Sequence, residues 1–382
     1  MNKVLRFALL SLISISSLYA GNTEPSVRLC SGKEMTWDEY LLFKKLRADD
    51  YDIEVEAFVD QNYIPYRQSF LNNSTGAWSS VIPMPLVAVA ASNMPDGRLM
   101  TWSARDKMAF GGNLGRTWTA IFDPANNSSV EFLIENTQHD MFCPGVTTLP
   151  DGRILASGGS SSDKSSIYDP YTGGWSTNDP LNIPRGYQSQ VTLASGATFT
   201  IGGSWSGGVG GKDAEVWSEK SGWYKLPGVP VDVVTDGVVS NQPTKQDDYF
   251  SWLWVAPNGK LFHAGPSASM HWIDPEGVGS YSYAGERAND VYSISGNTVM
   301  YDIGKILKIG GAETFEENTP ANGNCYIIDI NSNTPQVTQV SNLANPRTCN
   351  NTVVLPTGEV LVIGGMSRSH LFFDDESIYT PE

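Results

Sequence analysis

A chain of 382 residues with a net charge of −16 has room for one large β-domain or two ordinary domains. The acidic balance excludes partners that need a basic face, such as nucleic acid or an anionic membrane. With 37 glycines, 22 prolines and only 17% charged residues the chain is turn-rich, which argues against helical repeats and coiled coils, while 40% hydrophobic residues supply a sizeable core.

Residues 1–20 read as a secretory signal peptide: Lys3 and Arg6 precede an apolar run from Phe7 to Leu18, and Ala20 offers a small residue for cleavage. No later run is long and apolar enough to span a bilayer, so an extracellular or periplasmic protein with no membrane partner is expected. Residues 21–75 form a separate N-terminal segment. Within it Thr36 to Glu39 has the form of a capping box, with Met35 and Tyr40 as its hydrophobic staple, and predicts one short helix through Arg47.

From residue 76 to 382 one pattern repeats: an apolar run, a Pro-x-Gly-type turn, a second apolar run, and two small residues. Leu149-Pro150-Asp151-Gly152-Arg153-Ile154-Leu155 followed by Gly158-Gly159 is one copy, and Leu355-Pro356-Thr357-Gly358-Glu359-Val360 followed by Gly364-Gly365 is another. The turn glycines 97, 152, 196, 259, 304 and 358 recur 44 to 63 residues apart. Turns of this kind between apolar runs are hairpin signals. Further strands follow, ending in Gly-x-Trp-like turns such as Gly174-Trp175 and Gly222-Trp223. Four short strands per repeat is the make-up of a propeller blade, so the expected fold is an all-β, kelch-type β-propeller with six recognisable blade hairpins. Two arrangements of the ends are open. Either the strand at Trp78 completes the last blade of a closed six-bladed ring, or the chain is part of a larger ring.

Three motifs stand out between His139 and Gly208. They are Asp140-Met141-Phe142-Cys143-Pro144-Gly145, Arg185-Gly186-Tyr187-Gln188-Ser189 and Gly202-Gly203-Ser204-Trp205-Ser206-Gly207-Gly208. Cys143 and Tyr187 each lie nine residues before their turn glycine, Gly152 and Gly196, so both fall at the same register of adjacent inner strands. The same position elsewhere holds Ala88, Phe250, Ser295 and Cys349. Trp205 follows the second strand of the Tyr187 hairpin and can fold over the phenol. On spacing alone, a channel-lining aromatic and a small buried filler satisfy the pattern equally well.

The motifs resemble those of the galactose oxidase family of copper radical oxidases, over a stretch from about Trp78 to Glu382 that includes Ala109-Phe110-Gly111-Gly112 and Val299-Met300-Tyr301-Asp302. The resemblance implies a thioether between Cys143 and Tyr187, Tyr187 as radical and copper ligand, and Trp205 as its shield. It also implies oxidation of a carbohydrate or small primary alcohol or aldehyde by dioxygen, with Phe110 and Tyr379 lining the substrate site. Copper is the implied cofactor, and Cu(II) suits a tetragonal set of imidazole nitrogens and phenolic oxygens. Beyond Tyr187 the family's copper ligands have no counterpart in this chain: His139, His263, His271 and His370 do not follow a tyrosine and have no ligand-like spacing. The family's sugar-gripping arginine has no match in Gln246 to Phe250 either. The expectation is an oxidase inactive as this chain alone, with a completing C-terminal polypeptide as partner; a non-catalytic kelch propeller that binds a glycan or protein is the alternative. With Cys143 in the linkage, Cys325 with Cys349 is the first disulfide pairing to test, Cys30 being the remaining cysteine.

Overall fold

The structure, a computed structural model, describes residues 26–28, 34–36, 80–110, 114–235, 248–314, 316–370, 373 and 376–382. The expected signal peptide, the helix after Thr36, the Trp78 strand and Cys30 lie outside the described residues. Thr36 itself closes strand β2 (Glu34–Thr36), which pairs antiparallel with β1 (Ser26–Arg28).

Strands β3 (Ala90–Asn93) to β22 (Gln336–Gln339) form five four-stranded sheets in chain order, and β23 (Asn351–Val354) and β24 (Val360–Ile363) form a two-stranded one. Within every four-stranded sheet consecutive strands are neighbours, which is the meander expected of propeller blades. The architecture is a kelch-type β-propeller, and all six expected hairpins are present. Five of their turns are built alike: the residue before each Pro-x-Gly-type turn receives the N–H of the turn glycine, as Leu149 does from Gly152 and Leu193 from Gly196, each at 2.9 Å, while the sixth is the two-residue turn Ile303-Gly304 between paired Asp302 and Lys305. Gly152 and Gly196 sit at φ 88° and 86°, a conformation that costs glycine little.

Two compact units divide the chain. One takes in Asn93–Leu99 and Phe122–Ser128 with 80–84, β1 and β2 among the described residues; the other comprises Pro85–Ser92, Met100–Ile121 and Ser129–Glu382. The larger unit holds the site, and its core lies between successive sheets. Phe199, Ile201 and Val216 of one blade meet Leu261 and Ile273 of the next. Phe262 and Trp272 then meet Ile306 and Ile328. Each such side chain, fully buried, contributes about 1.5–3 kcal/mol. The Gly-x-Trp motifs place Trp175 on β10 (Gly174–Asn178) and Trp223 on β14 (Gly222–Lys225), the outermost strands, where both indoles are buried.

The innermost strands are β7 (Gly145–Thr148), β11 (Ser189–Thr192), β15 (Trp252–Val255), β19 (Asn297–Asp302) and β23. Two residues before each of them the chain takes a left-handed turn at a non-glycine residue: Cys143 (φ 50°), Tyr187 (67°), Phe250 (49°), Ser295 (51°) and Cys349 (55°). These are five of the six equivalent positions read from the sequence; the sixth, Ala88, lies two residues before β3 and does not take this turn. Their backbones join one blade to the next. Tyr187 N–H donates to Cys143 O at 3.0 Å, Phe250 N–H to Tyr187 O at 2.9 Å, and Cys349 N–H to Ser295 O at 2.7 Å.

Two ion pairs brace equivalent corners, one fully buried and one partly exposed. Arg185 Nη2 donates to Glu215 Oε2 at 2.9 Å, both side chains fully buried. Arg347, just ahead of β23, does the same with Glu382 at 2.6 Å. Glu382 also exchanges two backbone hydrogen bonds with Val362, so the final residues run beside β24 in the place of a third strand. The expected Cys325–Cys349 disulfide is absent: both thiols are free. Cys325 opens β21 (Cys325–Asp329), the third strand of its blade, with its thiol toward Gly323 O at 3.5 Å, whereas Cys349 sits at the inner register of the following blade. The two therefore belong to different layers.

Candidate functional site

The segment before Cys143 is pinned by its neighbours. Thr117 Oγ1 donates to His139 O at 2.8 Å and accepts from Met141 N–H at 2.9 Å, while Trp102 Nε1 donates to Met141 O at 3.1 Å. His139 is fully buried; Nε2 bonds to Gly158 O at 2.8 Å and Nδ1 to Ser166 Oγ at 2.9 Å. A carbonyl only accepts, so Nε2 carries the proton and Nδ1 takes the serine hydroxyl. Burial then lowers the His139 pKa to about 4, against the Gly158 bond that favours the charged form. Asp140 is buried as well. Its Oδ1 accepts from Phe142 N–H at 3.3 Å, and burial raises its pKa to about 6.

Tyr187 enters from the adjacent blade. Gly186 N–H donates to Gly203 O at 3.0 Å, which ties its approach to the loop that carries Trp205. The glycine pairs after the second strands serve this close approach: a Cβ on Gly203 would lie 2.9 Å from Gly186 O, and one on Gly159 would lie 2.6 Å from Phe142 O. The Cys143 thiol and the Tyr187 phenol are electrostatic neighbours. Burial pushes the thiol up to about 11, the phenol partly offsetting it; the phenol is raised further, first by burial and then by Cys143. The Tyr187 hydroxyl is buried with no nitrogen or oxygen partner among the described residues, and the Cys143 thiol lies beside it.

Aromatic rings surround that phenol. Trp205 lies over it with ring centroids 4.7 Å apart at 31°, Phe250 is at 5.0 Å, Tyr249 at 5.7 Å and Phe142 at 6.2 Å. Phe110 stacks on Phe142 at 4.8 Å and 4°, and remains 43% exposed. Trp205 is 41% exposed, so the indole has one face on the phenol and leaves part of its surface to solvent. A cavity of about 270 Å³ opens along the inner strands, lined by Pro144, Gln188, Gln190, Phe250, Ser251 and Leu253.

Thus the structure brings together Cys143, Tyr187, Trp205 and, through Phe142, Phe110. Tyr379 is 84% exposed on the segment beside β24, and no ring contact between it and these aromatics is described. Sequence reasoning missed Tyr249, whose only signal was its place beside Phe250, and the part of Phe142 as the bridge to Phe110. Cu(II) prefers imidazole and phenolate donors, and the Tyr187 hydroxyl, with no nitrogen or oxygen partner among the described residues, fits one such position. The histidines make other contacts, although both ring nitrogens of His263 are buried without a hydrogen-bond partner. His139 uses both nitrogens, His263 and His271 face each other across β16 (Leu261–Gly265) and β17 (Ser269–Asp274) at 5.7 Å, and His370 stacks on Phe373 at 4.0 Å. No three His, Cys, Asp or Glu side chains gather as a metal site among the described residues. One phenol does not make a copper site, so the described residues do not by themselves fit the metal.

No protein-family profile matches the chain. Two galactose oxidases from Gibberella zeae are 37% identical over 319 residues, covering 80% of this chain and 46% of theirs. An aldehyde oxidase GLOX from Vitis pseudoreticulata is 26% identical over 260 residues, 62% of this chain and 46% of that one. The chain thus spans less than half the length of the curated relatives it matches. Among solved structures, a novel fungal alcohol oxidase with catalytic diversity among the AA5 family, in complex with copper, is similar at a TM-score of 0.73 and 36% identity, over 80% of this chain and 64% of that one. Sequence likeness at this level, carried on the same propeller, shows that the chain belongs to the galactose oxidase-like copper radical oxidases.

Proposed function

We propose that this chain carries the radical half of a secreted copper radical oxidase, which converts a primary alcohol or aldehyde and dioxygen to the oxidised product and hydrogen peroxide. The observation that carries the reading is the register of Cys143 and Tyr187 on adjacent inner strands, with Trp205 over a phenol whose hydroxyl has no nitrogen or oxygen partner among the described residues. Tyr187 is the redox-active phenol and a copper ligand. Cys143 is its thioether partner: a C–S bond replaces one S–H and one ring C–H, and dioxygen takes up the two hydrogens. Trp205 screens the phenol from water on one face, and Phe250, Tyr249 and Phe142 exclude it on others. Phe110 and Tyr379 are assigned to the substrate approach, where a carbohydrate or small primary alcohol would lie. The remaining copper ligands are assigned to a completing C-terminal polypeptide, because the described residues offer a single donor. As the chain stands alone, the reading expects no turnover. Residues 1–20 would direct export.

The test is a peptide map of the chain exported together with the segment that completes it, after incubation with copper(II) in air. A Cys143 peptide joined to a Tyr187 peptide, two hydrogens lighter than the sum, supports the reading. Recovery of both peptides separately, with Cys143 still alkylatable, sinks it. The incomplete donor set favours a second reading, a non-catalytic kelch propeller that binds a glycan or protein through the half-exposed rings of Phe110 and Trp205. In that case Trp205→Ala abolishes binding on a glycan array, and no cross-linked peptide forms.

A further inference from the structure

Lys212 and Asp248 take no part in the chemistry assigned above, yet both are buried charges set around the loop that carries Trp205, 1% and 2% exposed. That loop holds Gly207, Gly208, Gly210 and Gly211 at φ 71°, 89°, 76° and 63°. A segment so rich in glycine has little stiffness of its own. The two charges supply it. Lys212 Nζ donates to Ser206 O and Gly207 O, each at 3.0 Å, and to Pro184 O, so one ammonium ties the residues after Trp205 to the turn that leads into Tyr187. On the other side, Asp248 Oδ2 accepts from Ser204 Oγ at 2.6 Å and from Ser204 N–H at 3.1 Å, and its backbone carbonyl accepts from Gly203 N–H at 2.9 Å. Ser204 Oγ in turn accepts from Gly210 N–H at 2.9 Å, which closes the loop on itself.

Trp205 is therefore bracketed. The residue before it is held by a carboxylate and the residue after it by an ammonium. Both anchors lead back to the phenol: Pro184 lies three residues before Tyr187, and the residue after Asp248 is Tyr249, whose ring packs on Tyr187 at 5.7 Å and on Trp205 at 6.0 Å. The fit is tight enough that a Cβ on Gly207 would lie 2.5 Å from Pro184 Cβ.

We propose that Lys212 and Asp248 are positioning residues that set the stacking of Trp205 on Tyr187, acting through loop 204–211. The consequence for a shielded radical rests on the reading above, but the stacking can be measured without copper. The readout is the fluorescence of Trp205 alone, taken as the difference between each protein and the same protein with Trp205→Phe. In Lys212→Met the Trp205 component shifts to longer wavelength and its acrylamide quenching constant rises several-fold, while the other indoles quench as in the parent. Asp248→Asn moves the signal in the same direction. An unmoved Trp205 component in folded Lys212→Met overturns the proposal. Where Lys212→Met fails to fold, Ser204→Ala removes the hydroxyl's contacts to Asp248 and to Gly210 N–H, and an unmoved component there overturns it equally. A loosened Trp205 with no cross-linked peptide keeps the clamp and sinks the radical reading; the reverse pair of results separates them the other way.

Discussion

Glu215→Gln tests the corner beneath Tyr187 with almost no change of shape. Glu215 Oε1 accepts from Asn182 N–H at 2.9 Å, and Oε2 accepts from Ile183 N–H at 3.1 Å and Arg185 Nη2 at 2.9 Å. The amide turns one of these acceptors into a donor facing another donor, and it leaves a fully buried guanidinium without its counter-ion. Removing one partner of a buried pair costs roughly 3–5 kcal/mol. Arg185 retains carbonyl acceptors on Ile183, Gly202, Lys212 and Asp213, and Asp248 also helps to hold its charge. The lower end, about 3 kcal/mol, is therefore expected. Glu382→Gln is the internal control: it serves Arg347 in the same way, but its side chain is 20% exposed, and water can replace it at a cost of about 1 kcal/mol. Urea titration followed by tryptophan fluorescence gives both values. A Glu215→Gln protein within about 1 kcal/mol of the parent, or an equal cost for Glu382→Gln, would refute this role for the buried carboxylate.

Three further outcomes are expected. His139 has a folded pKa of about 4 against 6.5 unfolded, so between those values the unfolded chain binds more protons. Stability from this site is complete above pH 6.5 and is lost as pH falls toward 4, by about 3 kcal/mol. His139→Asn should flatten the difference between unfolding free energies at neutral and acid pH, and an unaltered slope would count against the assignment. Asp290 Oδ2 takes Arg287 Nε at 2.8 Å and Lys308 Nζ at 2.7 Å, all three side chains buried, so Asp290→Asn strands two cations and should lower stability by at least about 3 kcal/mol in the same titration. Gly203→Ala adds a methyl 2.8 Å from Gln188 Cβ at φ 95°, and differential scanning calorimetry should show it melting well below the parent, whereas an unchanged midpoint would mean that Gly186 and Gln188 yield freely.

Much of this architecture was legible because propeller repeats write their geometry locally. A turn glycine must follow its apolar run at a fixed offset, so counting nine residues back from Gly152 and Gly196 was enough to place Cys143 beside Tyr187. Trp205 could be read because it follows the same hairpin. Contacts made through buried charge were not legible. Lys212 and Asp248 look like surface residues in a chain with many acidic side chains, and only the folded loop shows that both are desolvated. Cysteine pairing failed for a related reason: Cys325 and Cys349 are near in sequence, but strand position within a blade sets which layer each occupies. Tyr379 sits on the strand position beside β24, and nothing in its local pattern says how far that position stands from Tyr187.

The left-handed turn shared by Cys143, Tyr187, Phe250, Ser295 and Cys349 has a consequence for how chemistry is installed on such a scaffold. Blade-to-blade linkage there is made by main-chain atoms, which every residue type possesses. The side chain is therefore free of the joinery, and a thiol, a phenol, a benzyl group and a hydroxyl all occupy the same socket. Each non-glycine residue held in that conformation forgoes on the order of 1–3 kcal/mol. In return the scaffold offers a row of interchangeable mounts at fixed mutual spacing, so that two adjacent substitutions are enough to bring a new pair of reactive groups together without redesigning a strand.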